Sequence, residues 1–135
     1  MNSAKEKIPL LTAACAAQEQ AYAPYSHYAV GAAVLAADGN LYTGANVENA
    51  SFGLTICAER AAVFNMVSAG VREIRAVAVC TMNGVAPCGA CRQVMAEFVR
   101  ADIPVYLVDE SGRVQETTLF TLLPHHFGPA DLPVS

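Results

Sequence analysis

The chain has 135 residues, 54% of them apolar and 15% charged, with 8 Lys+Arg against 12 Asp+Glu for a formal net charge of -4. That length suits one domain, residues 1–135, with a core of its own, and so apolar a composition excludes disorder. No basic surplus exists to neutralise a phosphate backbone, so no binding to nucleic acid is expected, while a charged fraction below the roughly 25% of average soluble domains hints at surface hidden in an oligomer.

Residues 4–23 read as an amphipathic helix, with Ile8, Leu11, Ala14, Cys15 and Tyr22 at helical spacing. Pro9 is comfortable only in a first turn, so the regular helix is expected to begin near Ile8, and Pro24 stops it. Residues 28–36 form a strand, Asp38-Gly39 a hairpin turn, and residues 41–44 the returning strand. Residues 46–55 are polar and turn-rich. A second helix covers 57–69, with Gly70 at the stop position. Residues 74–80 are almost continuously apolar and read as a buried strand. A third helix covers 88–101, a fourth strand 104–108, a short fifth strand 114–117 and a final helical turn 118–123. Pro124, Pro129 and Pro133 mark an irregular tail. The order α-β-β-α-β-α-β-β-α belongs to the α/β class, a mixed sheet with helices packed on it. No apolar run reaches the roughly 20 residues of a membrane helix, and residues 1–7 lack a secretory pattern, so no membrane contact and a cytoplasmic location are expected.

Five cysteines, an odd number in a reducing compartment, argue against a disulfide framework. Cys15 on an apolar helix face and Cys80 at the end of a buried strand read as small core residues. In Pro87-Cys88-Gly89-Ala90-Cys91 two thiols sit three residues apart at a helix start, where the dipole lowers thiol pKa. That suits zinc or a redox dithiol. Cys57-Ala58-Glu59-Arg60 adds a third thiol at a second helix start. Three cysteines can hold zinc and leave a fourth position open, the layout of a catalytic centre. Glu59 is the natural proton carrier. On a regular helix, however, Cys57 and Glu59 would point about 200° apart, so they converge only if the pair straddles the helix start. Three thiolates on one Zn²⁺ leave the centre net negative. Arg60, three residues after Cys57, can offset this by bonding a ligand sulfur, or it can form an ordinary surface salt bridge.

Cys-Ala-Glu followed by Pro-Cys-x-x-Cys resembles the zinc-dependent nucleoside and nucleobase deaminases. Ala23-Pro24-Tyr25-Ser26, Val30-Gly31-Ala32-Ala33, Asn46-Val47-Glu48-Asn49, Pro87-Cys88-Gly89-Ala90-Cys91-Arg92-Gln93 and Leu122-Leu123-Pro124 extend that likeness over nearly the whole chain, toward the small homotetrameric cytidine deaminases. The resemblance implies a three-layer α-β-α fold with a five-stranded mixed sheet. It implies one Zn²⁺ per subunit on Cys57, Cys88 and Cys91, with Glu59 as general acid/base. The implied reaction is hydrolysis of cytidine or deoxycytidine to uridine or deoxyuridine plus ammonia, in pyrimidine salvage. Glu59 would take the proton of the attacking water, deliver it to N3, and then serve the leaving amino group.

By the same resemblance Asn46 and Glu48 hold the ribose 3′-hydroxyl, and a carboxylate there favours free nucleosides over phosphorylated ones. Ala58 offers a backbone N–H to the pyrimidine O2. Tyr28 stands where the family usually has Phe lining the pocket; a plain hairpin role is the other reading. Phe127, and similarly Phe52, would close a neighbouring subunit's site, or else simply pack. Two rivals remain: a deaminase of another aminopyrimidine such as blasticidin S, and a structural zinc module with Cys80 as fourth ligand.

Overall fold

The computed structural model describes residues 4–132. Its elements are helix α1 (Ala4–Gln18), strands β1 (Gly31–Ala36) and β2 (Leu41–Ala45), helix α2 (Ala58–Ser68), strand β3 (Ile74–Cys80), helix α3 (Gly89–Ala96), strands β4 (Pro104–Val108) and β5 (Val114–Thr118), and the short helix α4 (Leu119–Leu122). The five strands form one sheet in the order β2-β1-β3-β4-β5. Only β3 and β4 run parallel; the other three pairings are antiparallel. This is the expected mixed sheet.

The sheet has helices on both faces, which is why β1, β3 and β4 read as nearly unbroken apolar runs. Alternate residues of β1 go to opposite cores. Ala32, Val34 and Ala36 join Ala62, Met66, Cys91 and Met95 from α2 and α3. Ala33 and Leu35 join Leu10 and Ala14 of α1, together with Ala76, Ala78 and Cys80 of β3. Two glycines let the layers close. A Cβ on Gly31 would collide with the Ala14 carbonyl and the backbone of Gln18, and one on Gly44 with the backbone of Ala58 and Ala62.

Four boundaries differ from expectation by three residues or more, one of them the start of β1, at Gly31 rather than residue 28. Pro9 lies inside α1 rather than in its first turn. The missing N–H removes one helix bond there, and packing of Leu10 and Ala14 on the sheet holds the helix across the gap. At the other end α1 stops at Gln18, five residues before the expected limit. Glu19, Gln20 and Ala21 make tighter turn bonds to Ala16, Ala17 and Gln18, while the Gln18 side chain donates to the Ala29 carbonyl at 3.0 Å. Helix α3 also ends early, at Ala96, because the Phe98 carbonyl is taken by Ile74 N–H at 2.8 Å where β3 begins. The Asp38-Gly39 turn and the Gly70 stop stand as expected, with positive φ at both glycines. Thr118 caps α4 by accepting from Thr121 N–H. Pro133 lies outside the described residues.

Candidate functional site

Two helix starts meet at one end of the sheet. Cys57 is the N-cap of α2, with φ -74° and ψ 154°, and Cys88 is the N-cap of α3, with φ -67° and ψ 166°. Cys91 follows in the first turn of α3 and is fully buried. The three sulfurs all lie within 4.8 Å of one another, with Cys57 to Cys88 at 3.9 Å and Cys88 to Cys91 at 3.4 Å. Tetrahedral zinc at about 2.3 Å from each sulfur would space them about 3.8 Å apart, so the donor set and its spacing fit that ion. Cys80 is turned to the opposite face of the sheet, bonded to Cys15 and Gln18. Among the described residues no other Cys, His, Asp or Glu joins the trio, which leaves the fourth position open and removes Cys80 as a structural ligand.

The extended backbone of Cys57 also resolves the problem of the Cys57–Glu59 spacing. Because Cys57 precedes the helix and Glu59 is its second residue, the two do not obey helical geometry, and both line one cavity. That cavity has a volume of about 350 Å³, within the range of small-ligand sites. Val30 and Asn46 border it from the start of β1 and the end of β2, and Val79 and Thr81 from the end of β3. It therefore opens beyond the carboxyl end of a parallel strand, the usual place for a ligand in α/β sheets.

Glu59 is 5% exposed. Burial pushes its carboxyl above the ordinary range, and the negative charge of Cys57 adds to the effect. Cys57 behaves oppositely. Its thiol falls to about 5, because it accepts a hydrogen bond from the Cys91 thiol and a second from Arg60. Cys91, as donor to Cys57 and buried, is pushed up. Arg60 Nη2 reaches the Cys57 sulfur at 3.4 Å, so the guanidinium serves a ligand rather than a surface carboxylate. Its Nε is buried and has no hydrogen-bond partner among the described residues. Ala58, the first residue of α2, is buried against the cavity, and a first-turn N–H has no partner within its own helix.

The opposite wall is held by Asn46 and Glu48. Asn46 Oδ1 accepts from Val30 N–H at 2.9 Å and Nδ2 donates to the Tyr28 carbonyl at 2.8 Å, which leaves one amide hydrogen and one lone pair for a ligand. Glu48 accepts from the Tyr25 and Ser26 N–H groups at 3.0 and 3.2 Å and from the Ser26 hydroxyl at 2.5 Å. The Ser26 hydroxyl bond, above all, lowers its pKa. Ser26 also lines the cavity; it stood in a recognised motif without a role of its own, and only its contact with Glu48 reveals one. Tyr28 borders the cavity too, and its hydroxyl donates to Asn83 Oδ1 at 2.5 Å. Phe127 is not among the residues around this cavity. It is 60% exposed, with its carbonyl bonded to Gln93 Nε2. Phe52 is 69% exposed and packs edge-on against Tyr25 at 5.3 Å. His27, His125 and His126 lie outside the metal cluster.

Residues 4–107 match the family model described as the cytidine and deoxycytidylate deaminase zinc-binding region. A cytidine deaminase of Sporosarcina psychrophila is 53% identical over 118 residues, spanning 86% of this chain and 87% of the relative. One of Halalkalibacterium halodurans is 52% identical over 125 residues, spanning 91% and 95%. The crystal structure of cytidine deaminase from Burkholderia pseudomallei superposes with a TM-score of 0.85 at 48% identity, over 89% of this chain and 98% of that one.

Proposed function

This chain belongs to the cytidine and deoxycytidylate deaminase zinc-binding family, and on that premise we propose that it hydrolyses cytidine and deoxycytidine to uridine and deoxyuridine with release of ammonia. The observation that carries the reading is a buried glutamate that shares the cavity wall with Cys57 and Cys88, whose sulfurs cluster at zinc spacing with that of the buried Cys91. Cys57, Cys88 and Cys91 would hold a zinc ion, which would supply the Lewis acidity that activates the attacking water. Glu59 takes one proton from the attacking water and passes it to N3 of the ring, then takes the second from the hydroxyl added to the ring carbon and delivers it to the amino group, which leaves as ammonia. A carboxyl whose neutral form is favoured by burial suits that shuttle, since it must hold the proton between the two transfers. Arg60 and the two helix N-termini offset the negative charge of the sulfurs.

In this reading Asn46 and Glu48 receive the ribose 3′-hydroxyl, Ala58 N–H meets the pyrimidine O2, and Tyr28 flanks the ring. The already charged Glu48 excludes a phosphate, which favours free nucleosides. The whole chain acts as one domain in the pyrimidine salvage of the cytoplasm, as a homotetramer in which Phe127 and Phe52 close neighbouring sites. Support for assembly comes from the low charge content and from exposed Phe52, Leu54, Phe64 and Phe127. No helix among the described residues is long and apolar enough to cross a membrane.

The decisive experiment follows the loss of cytidine absorbance on mixing with the zinc-loaded protein. Turnover should disappear after a chelator and return with zinc. A zinc-loaded protein inert toward both cytidine and deoxycytidine overturns the proposal.

A further inference from the structure

Outside the site, one pair of reactive groups remains unused. Cys15 on α1 and Cys80, the last residue of β3, are 65 positions apart, yet their sulfurs lie 2.6 Å from each other. Both are free thiols. They sit in the core beneath α1, on the sheet face away from Cys57, Cys88 and Cys91. Their polar neighbour is Gln18, whose Oε1 accepts from the Cys80 thiol at 3.3 Å. From this juxtaposition we propose that Cys15 and Cys80 are a redox modification site, at which a peroxide converts the two thiols into a disulfide that staples α1 to β3.

Closing the bond asks for little movement, since a disulfide holds its sulfurs at about 2.05 Å. Cys80 is buried and its thiol is raised to about 12 by that burial and by the bond from Cys15. Cys15 is partly exposed and meets the oxidant first. Its sulfur attacks the peroxide, forming an S–O bond as the O–O bond breaks. The displaced hydroxide leaves as water with the Cys15 proton. The Cys80 sulfur then attacks the Cys15 sulfur, the S–S bond forms, the S–O bond breaks, and the released hydroxide takes the Cys80 proton as a second water. Two thiols are oxidised and one peroxide is reduced. The zinc ligands take no part, because they lie across the sheet. The new bond closes a long loop, so its main effect is on stability.

The test uses the zinc-loaded protein and limiting hydrogen peroxide, followed by alkylation of free thiols and digestion with trypsin and a glutamate-specific protease. Residues 8–19 then contain Cys15 as their sole cysteine, and residues 76–92 contain Cys80. The expected result is a linked pair of these peptides, two hydrogens lighter than their sum and separated by reductant, with turnover retained. The unfolding midpoint should rise by about 5–10 °C. Cys15→Ser and Cys80→Ala should keep basal turnover and yield no linked pair. Recovery of residues 8–19 only in alkylated form, after the zinc ligands have been oxidised, overturns the proposal. So does a linked species that persists in Cys80→Ala, or a linked wild-type protein that melts no higher than the reduced one.

Discussion

Glu59 shows how much a single side chain depends on where its helix begins. As a raised carboxyl it binds protons more tightly folded than unfolded. In the metal-free protein its contribution to stability therefore falls as pH rises from the ordinary carboxylate range through the raised value. Glu59→Gln removes a buried charge while keeping the shape. Turnover should drop at least about 10²–10⁴-fold. Zinc content should stay at wild-type level, and the metal-free variant should melt no lower than wild type at pH 7. Calorimetry with metal analysis checks both, and loss of zinc would recast Glu59 as a ligand. Arg60 acts through a sulfur instead. Arg60→Ala should lower turnover about 10–100-fold while changing zinc content far less; wild-type turnover in that variant would mean the negative charge is offset elsewhere. Glu48 has the opposite sign to Glu59. Its lowered carboxyl contributes stability that is fully present above the ordinary value of 4.5 and is lost as pH falls through the lower folded value. Acid titration of the melting temperature should thus be flatter below pH 4.5 for Glu48→Gln than for wild type.

At the scale of elements, the site depends on two helices starting in one place. Helices α2 and α3 each begin with an extended cysteine, so the sulfurs converge while their helices diverge into the core. That placement requires β2 to press against α2 and α1 against β1, where only glycine fits. Gly31→Ala forces a methyl into the backbone of Ala14 and Gln18. It should cost about 1–3 kcal/mol and loosen the bond from Gln18 to the Ala29 carbonyl, beside the Tyr28–Asn46 contact. Urea denaturation measures the first effect, and a rise in KM larger than the fall in kcat the second. An unchanged denaturation midpoint would show that the two layers can part freely.

Across the whole molecule, both faces of the sheet are covered within one chain, yet large apolar side chains stay exposed at Phe52, Phe64 and Phe127. Among the described residues a single ion pair, Arg100 with Glu73 at 3.3 Å, crosses the surface. Few charges and many exposed aromatics favour association. If neighbouring subunits complete the cavity, dilution in a sizing column should lower specific activity as the assembly dissociates, and Phe127→Ala should raise KM with little effect on zinc. A monomer of full activity would assign these side chains to other contacts.

The sequence by itself determined the strand pattern, the Asp38-Gly39 hairpin turn, the Gly70 stop of α2 and the residue types of the metal cluster, because apolar periodicity, glycine φ and thiol spacing are local properties. It also placed Arg60 close enough in the chain to reach Cys57, while leaving open whether it bonds that sulfur or a surface carboxylate. The convergence of Cys57 with Glu59 was decided by tertiary structure, because it depends on an extended N-cap that local spacing leaves ambiguous. So were the early ends of α1 and α3, where Gln18 and Phe98 are claimed by distant backbone. The contact of Ser26 with Glu48 and that of Cys15 with Cys80 emerge only where remote segments touch. Contacts between residues far apart in the chain depend on how layers pack, and packing is a property of the assembled sheet and helices together.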